Sequence, residues 1–175
     1  MSTATATTTK WAIDPTHSEV SFKVKHLVIS TVTGYFKSFE GSVEAESEDF
    51  DGANISFSAD INSIFTNQSD RDNHLKSADF FDAEKFPKMS FSGVLKGSAL
   101  EGELTIKDVT KSVTLDVDFG GVVEDPYGQT KAGFEIEGKI SRKEFGLMWN
   151  AVTEAGSVVV SDQVRIIVNA QVVKQ

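Results

Sequence analysis

The chain has 175 residues, 39% of them hydrophobic and 25% charged, which suits one domain that folds around its own core without disulfide or metal. Its 17 basic and 26 acidic residues give a formal charge of -9, so nucleic-acid phosphates and anionic membranes repel it, and no run nears the ~20 apolar residues that span a bilayer. With no cysteine, thiol nucleophiles, Cys-ligated zinc, iron–sulfur clusters and redox switching are all excluded.

Residues 1–10 are a Ser/Thr/Ala stretch without the basic start and apolar run of a signal peptide. We expect a disordered leader here and a single domain over residues 11–175. The expected compartment is cytoplasmic for a chain that begins at this Met, and periplasmic if a leader has been trimmed ahead of it. From Val20 the period is two: Val20, Phe22 and Val24 alternate with Ser21, Lys23 and Lys25, the pattern of a half-buried antiparallel strand. His17 follows Asp14-Pro15-Thr16 at the strand's entrance, where local hydrogen bonds can fix its ring. His26 continues the apolar stripe and reads as a core histidine.

Gly34, Gly41 and Gly93 fall where parity breaks, which predicts bulges that bend long strands. The acidic run from Glu40 to Asp51 resembles no calcium loop and reads as a solvated face ending in a hairpin tip. Ile55, Phe57, Ala59 and Ile61 form the next apolar stripe. Ser69-Asp70-Arg71-Asp72 has capping-box spacing and predicts a short helix to about Ser77. Arg71 and Leu75 share one side of it with His74 nearby, and Asp72 and Lys76 form a solvent-side pair. Phe80, Phe81 and Phe86 follow in a connection, and so much apolar surface predicts that residues 66–87 fold over one opening of the sheet.

The alternation then resumes through Leu100 to Ile106, Val113 to Phe119, Ala132 to Ile140 and Val164 to Val172, with turn signals at Asp51-Gly52, Lys96-Gly97-Ser98, residues 108–111 and residues 125–128. The expected fold is all-β: an antiparallel barrel of about eight strands with a short helical excursion over one opening. Inward Gly102, Gly138, Ala59, Ala132 and Ala170 leave space beside the thirteen Phe, and the period alone leaves a packed and a hollow interior equally open. No HxH, HExxH or G-x-S-x-G motif and no phosphate-cradling glycine loop is present, so no catalytic residue, metal or cofactor is assigned. Arg71 and His74, beside the Phe cluster, are the strongest polar candidates, either for a ligand's head group or for tying the helix to the barrel rim.

Several ordered motifs now stand together: Trp11-Ala12-Ile13-Asp14-Pro15-Thr16-His17-Ser18, Phe22 with His26-Leu27, Gly34 with Phe36, Phe39 and Gly41, and the run from Arg71 to Asp82 closed by Phe86-Pro87. Gly102 to Lys107, Val109-Thr110-Lys111 and Arg142-Lys143-Glu144-Phe145-Gly146 complete them. Over Trp11 to about Val173 the chain resembles the YceI-like, polyisoprenoid-binding family, departing from its pattern at Asp108, a turn position where the family usually has Gly. The resemblance implies a lipocalin-like barrel whose apolar tunnel carries a long isoprenoid, quinone or acyl chain without catalysis. The expected ligand-binding residues are Phe22, Phe36, Phe57, Phe80, Phe81, Phe91, Phe134 and Trp149, with His17, Arg71 and His74 as polar members. The expected partner is a long-chain lipid, with no nucleic acid and no stable membrane insertion; a homodimer is compatible with the sequence. The readings set against the carrier are an enzyme acting on an amphiphile in the same tunnel, and a filled barrel acting as an interaction module.

Overall fold

The alternating stripes become eleven strands in the computed structural model, which describes residues 8–27, 29–149 and 160–175. The strands are β1 (Thr9–Ile13), β2 (Glu19–His26), β3 (Ser30–Phe36), β4 (Phe39–Ala45), β5 (Asn54–Asp60), β6 (Ile64–Phe65), β7 (Lys88–Lys96), β8 (Ala99–Ile106), β9 (Val109–Glu124), β10 (Thr130–Ser141) and β11 (Val160–Lys174). One helix, α1 (Ser69–Lys76), lies between β6 and β7. All pairings are antiparallel, and β1 meets both β4 and β11. The ring β1-β4-β5-β7-β8-β9-β10-β11 therefore closes into an eight-stranded barrel, and β2-β3-β6 extends the sheet from β11 to an edge at the two-residue β6.

Interrupted strands explain the surplus. β1 and β2 lie one after the other along β11, with Trp11 opposite Lys174 and Val20 opposite Val168. β3 and β4 continue beside them, as do β6 and β5 in the next position. The Asp14–Ser18 motif stitches the first interruption to β11. Asp14 N donates to Gln171 O at 2.8 Å, and Ser18 Oγ accepts from Gln171 N at 2.9 Å.

The stretch expected as a leader, residues 1–10, overlaps β1. Residues 1–7 lie outside the described residues, and Thr9 and Lys10 are already strand, paired with Ala45 and Glu44. The glycine bulges also differ from expectation. Gly34 pairs in register with Phe22, Gly41 with Phe57, and Gly93 with Gly102, whereas a break in register falls between Gly133 and Phe134, opposite Gly120. Gly34 and Gly93 make room for a ring rather than for an extra residue. A Cβ on Gly34 would sit 2.2 Å from Phe22 Cζ, and one on Gly93 would sit 2.8 Å from Phe91 Cζ.

The helix forms where predicted, but its cap does not. Gln68 is the N-cap residue and no side chain bonds the first turn. Asp72 is buried rather than paired with Lys76 in solvent, and it accepts from Thr66 N at 2.8 Å and from the Thr66 hydroxyl. A buried carboxylate needs such donors, so Asp72 draws the chain before the helix onto its inner face.

Candidate functional site

The barrel's long axis follows from β11, whose inward Val164, Ile166, Val168, Ala170 and Val172 all face one cavity. Eight steps of about 3.3 Å, tilted by about 40°, carry that wall ~20 Å along the axis. The cavity measures about 220 Å³. Among the described residues no polar atom is exposed on its wall, because the serines and the arginine that border it do so through carbon. An apolar cavity of about 150 Å³ stays dry and takes up benzene; this one is larger and equally apolar, so hydrocarbon fits it better than water.

Large side chains can surround open space because glycines let them lie flat. Phe22 lies over Gly34, the Phe91 ring tip reaches Gly93 and Gly102, and Leu115 Cδ2 comes within 2.1 Å of where a Gly138 Cβ would stand. The space beside Gly102 and Gly138 is thus filled, contrary to its reading as vacancy. The hollow lies further in, between side chains held against the wall.

Seven of the expected residues line this cavity: Phe22, Phe36, Phe57, Phe80, Phe81, Phe91 and Phe134. Phe80, Phe81 and Leu75 reach it from the excursion, which covers one end of the barrel. The other four stand off the wall. His74 bonds Asp79 at 2.9 Å and packs edge-on against Phe80 and Trp149, with centroids 5.1 and 4.7 Å away, so His74 and Trp149 form a layer behind Phe80. Arg71 Nε donates to Thr66 Oγ1 at 2.8 Å and its second nitrogen bonds the Thr66 carbonyl, which ties helix to rim. His17 sits on the outer face near Asn169 and Gln171, held by Asp14 Oδ2 at 2.8 Å. His26 is half-buried and also off the cavity wall.

Phe50 and Arg142 are wall residues outside the expected set. Phe50 is fully buried, although it stands in the acidic run read as a solvated face. The available signal was one large apolar side chain between Asp49 and Asp51. Arg142, 3% exposed, follows β10 and turns its guanidinium away from the cavity. It donates to the carbonyls of Leu147, Trp149, Val160 and Ser161 at 2.6 to 3.1 Å. Burial lowers its pKa and the charge of Asp162 raises it. A planar fork with five donors can serve carbonyls on both sides of a connection, and Arg142 thereby joins the ends of the segment between β10 and β11. Among the described residues no three His, Asp or Glu side chains gather as metal ligands, and no helix is long and apolar enough to cross a membrane.

A closed antiparallel barrel around an elongated apolar cavity defines a lipocalin-like class of protein. The YceI-like domain model matches residues 11–172, and the chain belongs to that family. A UPF0312 protein of Staphylococcus epidermidis is 37% identical over 165 residues, covering 93% of this chain and 96% of the relative. The crystal structure of the Campylobacter jejuni YCEI protein superposes with a TM-score of 0.72 at 31% identity, over 87% of this chain and 91% of that one. A polyisoprenoid binding domain from Saccharophagus degradans, implicated in plant cell wall breakdown, has the same fold, with a TM-score of 0.72 at 12% identity over 94% and 98% of the two chains.

Proposed function

We infer that the protein binds one long apolar chain, of isoprenoid, quinone or fatty acyl type, inside the barrel and carries it without chemical change. The observation behind this reading is a ~20 Å long wall of flat-lying Phe and aliphatic side chains without an exposed polar atom. Membership of the YceI-like family and the polyisoprenoid-binding description of the S. degradans domain support the isoprenoid class. Energetics allow it without a polar anchor. At about 0.8 kcal/mol per buried methylene, about twelve buried carbons offset an association cost of about 10 kcal/mol. Such a site selects by length and width, not by head group.

Incubation of delipidated protein with geranylgeraniol, a quinone carrying a four-isoprene tail and a fatty amide, followed by native mass spectrometry and extraction, tests the reading. Each should load at one per chain and return unchanged. Conversion of any of them, lost on His74→Ala substitution, would replace the carrier with an enzyme. Failure of all three to load would favour the filled barrel.

A further inference from the structure

The two ends of the cavity are built differently. At one end its border comes from outside the barrel strands: Leu75, Phe80 and Phe81 from the excursion, and Leu147 from the segment after β10. At the other end stands Phe50, from the connection between β4 and β5. It is fully buried although Asp49, Asp51 and Gly52 around it are exposed. Its backbone φ is 60°, a conformation that a bulky residue adopts only where its surroundings impose it.

The surroundings do so here. Gly52 N donates to Leu95 O at 2.7 Å, Leu95 N donates to Ala53 O at 2.9 Å, and Asp51 accepts from Gly97 N at 2.9 Å. The connection is thereby bonded to β7 and the turn after it. The Phe50 ring meets Phe134 edge-on at 5.0 Å, Trp11 at 5.0 Å and Phe119 at 5.4 Å. Phe50 and Phe134 face the cavity, while Trp11 and Phe119 back them and do not line it. The result is a two-layer aromatic wall across the barrel axis.

We propose that this wall is the floor of a blind tunnel, that the chain enters tail first from the helix end, and that Phe50 sets the longest chain the tunnel accepts. The inference rests on the chain-binding reading above. Orientation follows from the wall's chemistry: a head group driven to the floor loses its water and meets no hydrogen-bonding atom, so the polar end stays at the helix end. Length follows from the anchoring of Phe50, since a ring held by its own backbone and three neighbouring rings cannot swing aside for a longer tail.

Binding of a graded polyprenol series, from farnesol through geranylgeraniol to solanesol, tests this. Affinity in the unaltered protein should rise with each isoprene unit and then stop rising. In Phe50→Ala the limit should move to longer chains, the first polyprenol beyond the original limit gaining about ten-fold, and in Phe50→Trp it should move to shorter ones. Because emptying a buried site can unfold the chain, a second measurement uses the unaltered protein and geranylgeraniol carrying a photoactivatable diazirine on its last isoprene unit. Cross-links should fall on Phe50, Ala53 or Leu95. Cross-links on Leu75, Phe80 or Phe81, or folded Phe50 variants with an unmoved limit, overturn the proposal. If no polyprenol binds the unaltered protein at any length, the chain-binding reading itself fails, a result distinct from both.

Discussion

The Asp14 carboxylate accepts hydrogen bonds from the Thr16 hydroxyl at 2.7 Å, the Thr16 amide at 3.0 Å and the His17 ring at 2.8 Å. The Thr16 hydroxyl first and His17 second lower its pKa from an ordinary 3.8 to about 2, against the opposing effect of burial. A folded-state pKa below the unfolded one contributes stability that is complete above the unfolded value and disappears as pH falls through the folded one. The stability difference between the unaltered protein and Asp14→Asn should therefore be full about a pH unit above 3.8 and lose its charge-dependent part as pH falls through about 2, as followed by urea unfolding across that range. A difference that grows on acidification would contradict the hydrogen-bonding assigned to Asp14. His17 was legible as a locally fixed ring because Asp, Thr and His stood within four residues. Phe50 was not, because its burial depends on a backbone turn that hydrophobic periodicity does not see.

Among the elements, the strands were legible through alternation, which reports the face a residue points to and nothing of how its side chain then lies. Gly34 and Gly138 show the difference: both occupy inward positions, and both are covered by a neighbour's side chain. The helix was legible through its spacing, but Asp72 found buried Thr66 instead of solvent, a tertiary choice that overrides a local cap. The glycine arrangement carries a prediction. In Gly138→Ala the new methyl would meet Leu115 Cδ2 at 2.1 Å, the free end of a flexible side chain, so Leu115 has to swing toward the cavity. Overpacking of this kind costs about 1–3 kcal/mol. The variant should stay folded, with a lowered melting temperature, and should bind methyl-branched polyprenols more weakly while keeping unbranched fatty alcohols. Equal loss of both would show that Leu115 does not set the bore.

At the scale of the whole molecule, closure of the eight-stranded ring encloses a hydrophobic interior, and flat-lying side chains leave it hollow rather than filled. Periodicity could not decide between those interiors, because a packed and a hollow barrel share the same alternation; the side-chain positions against glycine decide it. The role proposed for this hollow is to hold an apolar chain. Organic extraction of the protein freshly purified from several expression hosts, with mass spectrometry of the extract, tests it most directly. An apolar chain molecule at up to one per protein is expected, its identity following the host. Protein that is ligand-free from every host, and takes up no polyprenol when one is supplied, would contradict it.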